Sequence, residues 1–225
     1  MCGRFALTLP VEAMAQLFAA APGNDLPQGP NYNICPTNDV VAVLGGGDTG
    51  GRRLAALRWG FVPRWYKTPG DGPLLINARA ETIAEKPAFR DACRQRRCLI
   101  PATGFYEWTK DADGARLPWY IHRADAAPVV FAGVWQDWEP KEGGSRLATC
   151  AIVTCAANDR LSAIHHRMPV VLAPEDWGLW LGEAGRGAAP LMRPAPDDVL
   201  TYHRVGTAVN SNRARGEDLI APVAV

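Results

Sequence analysis

Apolar residues recur along the chain in two rhythms. Between Pro10 and Ala20, Val11, Met14, Leu17 and Phe18 fall on one side of a 3.6-residue spiral. That pattern predicts a short helix with Thr8 as its cap and Pro10 in its first turn, ended by Pro22 and Gly23. Asp39–Leu44 and Arg53–Trp59 read instead as strands. The five glycines of Gly45–Gly51 between them suit a flexible hairpin loop, and no phosphate-loop lysine accompanies them. Glu85–Gln95 predicts a second helix, and Cys98–Ile100, Pro118–His122, Val129–Trp135 and Leu147–Thr154 predict further strands. After Pro174, Glu175 and Asp176 suit the positive end of a helix dipole, while Trp177, Trp180 and Leu181 give two more turns an apolar face. Strands separated mainly by loops, with few short helices, imply an α+β fold. The expectation is one domain over residues 1–225, with a mainly antiparallel, barrel-like β core and a few short peripheral helices.

Composition supports this picture without adding a function. Of 225 residues, 48% are hydrophobic and 21% charged, which is ordinary globular usage and excludes disordered and fibrous classes. The formal net charge of +1 provides no global attraction to nucleic acid, so any such contact must rest on local arginine clusters. Arg90, Arg94, Arg96 and Arg97 form one basic run, which reads better as a solvated helix face than as a DNA track. Phe5–Ala21 is rich in small apolar residues, but Pro10, Glu12 and Gln16 interrupt it, so it reads as mature sequence rather than a secretory signal. No window approaches the roughly 18 uninterrupted apolar residues of a membrane span, which makes a soluble cytoplasmic protein the expectation. The six cysteines contain no CxxC pair. Cys93 and Cys98, like Cys150 and Cys155, are spaced so that neither a helix nor a strand turns both thiols toward one metal. Cys35, Cys93, Cys98, Cys150 and Cys155 therefore read as reduced, mostly buried thiols, and no metal or cofactor is expected.

Cys2 differs through its position. A residue this small after Met1 permits removal of the initiator, which leaves a free 1,2-aminothiol. An α-amino group titrates near about 7.7–8.0 against about 10.4 for lysine, so at neutral pH much of it is nucleophilic toward an aldehyde. The neighbouring thiol can then close onto the same carbon as a five-membered thiazolidine.

The chain also carries MCGRF at its start, YNICPT (Tyr32–Thr37), WGFVPRW (Trp59–Trp65), NARAET (Asn77–Thr82), PATGFYEW (Pro101–Trp108), TCAAN (Thr154–Asn158), HHRMPVVL (His165–Leu172) and VGTAVN (Val205–Asn210). In this order, across nearly the whole chain, they resemble the SOS-response-associated peptidase family, also known as abasic-site processing proteins. The resemblance implies a thiazolidine crosslink between the N-terminal cysteine and the ring-opened aldehyde of an abasic site in single-stranded DNA, protecting the lesion. Autopeptidase and AP-lyase side activities are implied as well. By motif, Cys2 would be the nucleophile, Asn77 would position the amine and adduct, Glu107 would transfer protons, and His165 would assist ring opening and imine chemistry.

The residue types suit those tasks independently: an abasic sugar is mostly a closed hemiacetal, and Glu and His are natural proton carriers for opening it. Asn77 offers both a donor and an acceptor. Each has an ordinary alternative, with Asn77 capping a turn, Glu107 pairing with an arginine at the core edge and His165 purely structural. The family's His-x-Arg-Met-Pro spacing selects His165. On an extended segment His166 would point the opposite way, and it stays a minor alternative. Arg4, Arg79 and Arg167 are the expected phosphate ligands, Trp65 and Trp108 the stacking platforms, and Pro36 and Thr154 complete the DNA-binding set. The expected partner is single-stranded DNA containing an abasic site, met by a monomer, with no membrane partner and with association to the nucleoid during repair. Two other classes remain open. An N-terminal-nucleophile amidohydrolase shares only Met-Cys-Gly and would need an Asn-Gly oxyanion motif that the chain lacks, and a noncatalytic single-strand binder would leave Glu107 and His165 structural.

Overall fold

Val40 to Leu44 are all buried, because this run lies in a sheet covered on both faces, where an uninterrupted apolar stretch replaces alternation. The computed structural model describes residues 2–46, 50–140 and 143–223. In chain order its elements are β1 (Phe5–Leu7), α1 (Val11–Phe18), β2 (Ala20–Ala21), β3 (Asn31–Ile34), β4 (Asp39–Leu44), β5 (Arg52–Trp59), β6 (Asn77–Arg79), α2 (Arg90–Gln95) and β7 (Arg97–Ala102). There follow β8 (Gly104–Lys110), β9 (Arg116–Arg123), β10 (Val129–Trp138), β11 (Leu147–Ala156), α3 (Asp159–Ser162), β12 (Arg167–Pro169), α4 (Trp177–Leu181) and β13 (Leu200–Arg204). The α+β expectation holds.

Five strands close on themselves. β11, β10, β7, β4 and β5 are joined by antiparallel ladders, and a short parallel pairing of Arg58 and Trp59 with Thr149 and Cys150 brings β5 back to β11. Closure removes the open sheet edges that would otherwise invite association. At Gly133 a Cβ would lie 2.8 Å from Cys98 Sγ and 2.9 Å from Ile100 Cδ1, so only glycine fits the barrel wall there. β6 and β12 attach to opposite edges of the C-terminal half of β11, and β2 attaches to β5. A second, antiparallel sheet runs β13-β9-β8-β1-β3. Its β1 sends Phe5 into the shared core, edge-on to Trp59 at 5.1 Å and to Phe131 at 5.8 Å. β1 is thereby pinned between the sheets, which fixes the residues just before it.

Several sequence expectations need correction. Thr8 does not cap α1: Pro10 holds the cap position, and the Thr8 hydroxyl hydrogen-bonds Thr103 Oγ1 at 2.9 Å. That helix stops at Phe18, because Ala19 turns left-handed (φ 48°) and Ala20 starts β2. Of Glu85–Gln95 only Arg90–Gln95 is α-helix. Pro87 disfavours the helical conformation at Lys86, leaving turns bonded from Glu85 and Lys86 back to Thr82. Residues 47–49 of the expected glycine loop lie outside the described residues. Trp177 and Trp180 do form the buried face of α4. Among the described residues no helix is long and apolar enough to cross a membrane. Cys98, Cys150 and Cys155 are all buried and reduced; the opposite faces of β11 are both covered, so the odd spacing of its two cysteines exposes neither.

Candidate active site

Cys2 lies immediately before β1, at the seam where the second sheet meets the barrel, and none of its surface is exposed. From the barrel side, Asn77 at the start of β6 donates Nδ2–H to the Cys2 carbonyl at 2.9 Å. The other end of that amide, Oδ1, is buried and accepts no hydrogen bond among the described residues. Asn77 stands in parallel register with Ile152 of β11, so the barrel wall sets its position.

Glu107 comes from the other sheet. It sits mid-way along β8, opposite Trp119 of β9, and is 4% exposed. Burial pushes its carboxyl above the ordinary glutamate value, against smaller opposing effects that include the Trp108 backbone N–H and the His166 charge. Burial likewise drives the Cys2 thiol well up, and the Glu107 carboxylate adds to this. The sulfur is therefore a protonated thiol at neutral pH, not a thiolate.

His165 and His166 occupy the bend between α3 and β12. Their rings stack, with centroids 4.4 Å apart and planes inclined by 23°. The expectation that they point oppositely fails because this segment is bent rather than extended. The His165 Nδ1 lies 2.9 Å from the Arg167 backbone nitrogen and 3.1 Å from the Arg167 carbonyl; the shorter contact, in which Nδ1 accepts the N–H, puts the proton of the neutral ring on Nε2. Burial lowers the His165 pKa, while the main influence lowering that of His166 is His165 itself.

The arginines differ in their freedom. Arg167 forks onto Glu81, with Nη1 to Oε1 at 2.7 Å and Nη2 to Oε2 at 3.0 Å, and Nη2 also donates to the Thr154 carbonyl and hydroxyl at 2.7 and 3.2 Å. Its side chain is 10% exposed against 49% for Glu81. Thr154 is fully buried and reaches the site through Arg167. Arg4 donates to Asn33 Oδ1 at 2.7 Å and to the Val209 carbonyl at 3.0 Å. Arg79 is exposed at the end of β6, in register with Thr154, and forms no ion pair among the described residues. Trp65 is 53% exposed, whereas Trp108 is tied down by its indole N–H to Asn210 Oδ1 at 2.7 Å, with the Arg116 guanidinium 4.5 Å from its ring centre. Pro36 is half-buried just beyond β3.

Within Cys2, Asn77, Glu107, His165, Arg167 and Thr154, the structure therefore joins residues from the chain's start, β6, β8, β11 and β12. Glu81 and Asn33 escaped the sequence reading. Glu81 lies inside the NARAET motif, but its partner is 86 positions away. Asn33, buried in YNICPT, also donates to the Ser211 and Ala214 carbonyls at 3.1 and 2.8 Å, which pins the C-terminal segment beside Arg4. Away from this site, a cavity of about 490 Å³ beside Trp180 is lined by Cys93, Arg94 and Arg97. Among the described residues no group of three or more His, Cys, Asp or Glu side chains is placed to hold a metal ion.

This ordered assembly corresponds to a known family model, SOS response associated peptidase (SRAP), which matches residues 1–212. The chain belongs to the SRAP family. It is 35% identical over 98% of its length to the abasic site processing protein YoqW of Bacillus subtilis, covering 99% of that protein. It is also 34% identical to the abasic site processing protein YedK of Escherichia coli, covering 99% of this chain and all of that one. The abasic site processing protein HMCES of Pongo abelii is 30% identical, with 76% of its length matched. A solved structure from Bacteroides thetaiotaomicron shares the fold with a TM-score of 0.86 at 22% identity, over 99% of this chain and 100% of the other. Another from Bordetella bronchiseptica, 27% identical, gives 0.75 over 91% of this chain and 100% of the other.

Proposed function

We propose that this SRAP protein processes abasic sites in single-stranded DNA, capturing the lesion's aldehyde covalently at Cys2 once Met1 has been removed. The observation that carries the reading is the Asn77–Cys2 contact: a buried amide from a separate element holds the backbone of a residue whose α-amine and thiol are the reacting groups. The names of the SRAP relatives point to the same substrate.

His165, neutral with its proton on Nε2, donates toward the sugar ring oxygen as the hemiacetal opens. The α-amine of Cys2 adds to the aldehyde carbon, and Glu107, whose protonated form burial favours, gives a proton to the departing hydroxyl, so that water leaves and an imine forms. The thiol then adds to the imine carbon, its proton passing to nitrogen, and the product is a thiazolidine with one water released. A thiol kept protonated favours this order, with amine attack first. The same imine is the branch point for strand-cleaving lyase chemistry, which ring closure suppresses. Arg79 is the freest phosphate ligand, Arg167 becomes one when phosphate displaces Glu81, and Trp65 offers an exposed ring for a flanking base.

The test is incubation of purified protein with single-stranded DNA carrying one abasic site, followed by denaturing electrophoresis. A shifted band that Cys2→Ala abolishes is the expected result. No adduct from protein whose intact mass shows Met1 absent would overturn the proposal.

A further inference from the structure

Away from Cys2, the face of the second sheet at its β9–β13 edge carries three rings in one cluster. Tyr120 and His122 lie two residues apart on β9, and His203 of β13 stands opposite Tyr120. Their centroids form a near-equilateral triangle: Tyr120 to His122 5.8 Å, Tyr120 to His203 5.7 Å, and His122 to His203 5.4 Å. The three line a cavity of about 200 Å³ together with Thr103, Arg123 and Ile220.

Both imidazoles have their tautomers set by backbone carbonyls, which can only accept. His122 Nδ1 lies 2.9 Å from the Arg123 carbonyl, so that nitrogen carries the proton and Nε2 keeps its lone pair. His203 Nε2 lies 2.8 Å from the Ile220 carbonyl, so its Nδ1 keeps the lone pair. A second, independent observation comes from Tyr120: it is 3% exposed, and its buried hydroxyl has no hydrogen-bond partner among the described residues. Space for that hydroxyl exists because residue 104 is glycine, where a Cβ would sit 2.5 Å from the oxygen.

These features select the ligand class. Imidazole lone pairs repel an anion and attract a cation, and imidazoles whose other N–H is anchored on a carbonyl have the outer-shell support typical of metal ligands. The competing cation at the rim, Arg123, is already paired with Asp125. Imidazole with a phenol oxygen suits zinc, copper or nickel rather than magnesium or calcium. We infer that His122, His203 and Tyr120 form a binding site for one divalent transition-metal ion, the remaining coordination positions being filled by water. The ion would clip β9 to β13 and, through the carbonyl of Ile220, to the C-terminal segment.

The free aminothiol of Cys2 would itself chelate such ions, so the experiment uses full-length Cys2→Ala protein stripped with a chelator. Titration with zinc(II) in a calorimeter should show one saturable equivalent and a rise in Tm. His122→Asn and His203→Asn should each weaken binding at least tenfold. With copper(II), the wild-type site should give a phenolate-to-metal charge-transfer absorption that Tyr120→Phe, which preserves the packed ring, removes. The absence of saturable binding by zinc, nickel and copper would overturn the assignment. So would unchanged affinity in the two histidine variants together with no loss of absorption in Tyr120→Phe.

Discussion

Replacing Asn77 with alanine tests the central contact most directly. The substitution removes a donor 2.9 Å from the carbonyl of Cys2, a residue with no exposed surface. A buried carbonyl left unsatisfied costs about 1–3 kcal/mol. Expressed wholly in the positioning of the reacting residue, that is about a 5- to 150-fold loss in the rate of adduct formation. Expressed in folding, the same energy lowers Tm by about 2–4 °C for each kcal/mol in a domain of this size. Single-turnover crosslinking to abasic single-stranded DNA at 25 °C, well below the transition, separates the two. Asn77→Asp adds a sharper comparison, since it keeps the volume but sets a carboxylate oxygen against the carbonyl, so its rate should be no better than that of Asn77→Ala. Wild-type crosslinking by Asn77→Ala, with Tm lowered as expected, would show that the bond merely holds the fold and would refute its positioning role.

Other outcomes follow from the same geometry. The Glu107 carboxyl is raised by burial, so the folded chain retains a proton that the unfolded chain has lost; this contribution to stability is full below about pH 4.3 and disappears as pH climbs through the folded value. Glu107→Gln should flatten that slope in thermal melts, raise Tm at neutral pH, and slow adduct formation by about 10²–10⁴. His165 is shifted the other way, so its contribution is present above about pH 6.5 and is lost as pH falls through the lower folded value. Capture by the wild type should decline over the same acid range, and a pH–rate profile that His165→Ala leaves unchanged in shape would count against its role. Arg79→Ala should reduce the salt dependence of single-strand binding by roughly 0.7 in log–log slope, with folding stability within about 0.5 kcal/mol of wild type. Arg167→Ala should weaken binding and also lower Tm, because it leaves Glu81 and the buried Thr154 hydroxyl without their partner.

What the sequence revealed depended on whether a signal was local. The strands Val129–Trp138 and Leu147–Ala156 announced themselves through largely apolar runs that include β-branched residues, and Trp177 with Trp180 announced a helix. By contrast β8, which carries Glu107, begins with a glycine and holds an acid among apolar residues, so neither alternation nor a plain apolar run marked it. β1 has three residues and exists because its neighbours pair with it, a tertiary effect invisible in so short a window. Asn77, Glu107 and His165 were found through ordered motifs rather than periodicity. Their convergence depends on barrel closure through two rungs of β5 and β11, for which no local pattern exists. The Glu81–Arg167 fork and the stacking of His165 on His166 are three-dimensional facts of the same kind.

The complete burial of Cys2 bears on how long a captured lesion lasts. A thiazolidine in solution exchanges with its open form at a pace set by water and ambient nucleophiles. On the proposed mechanism, one formed at the seam between two sheets is shielded by the packing around it, so its lifetime rises with the local stability of that packing rather than being set by the heterocycle alone. On that reading the packing of Phe5 against Trp59 and Phe131, which pins β1, helps to set the lifetime although none of the three takes part in the chemistry. Substitutions that loosen this aromatic cluster would shorten the crosslink's life without touching the residues that make it.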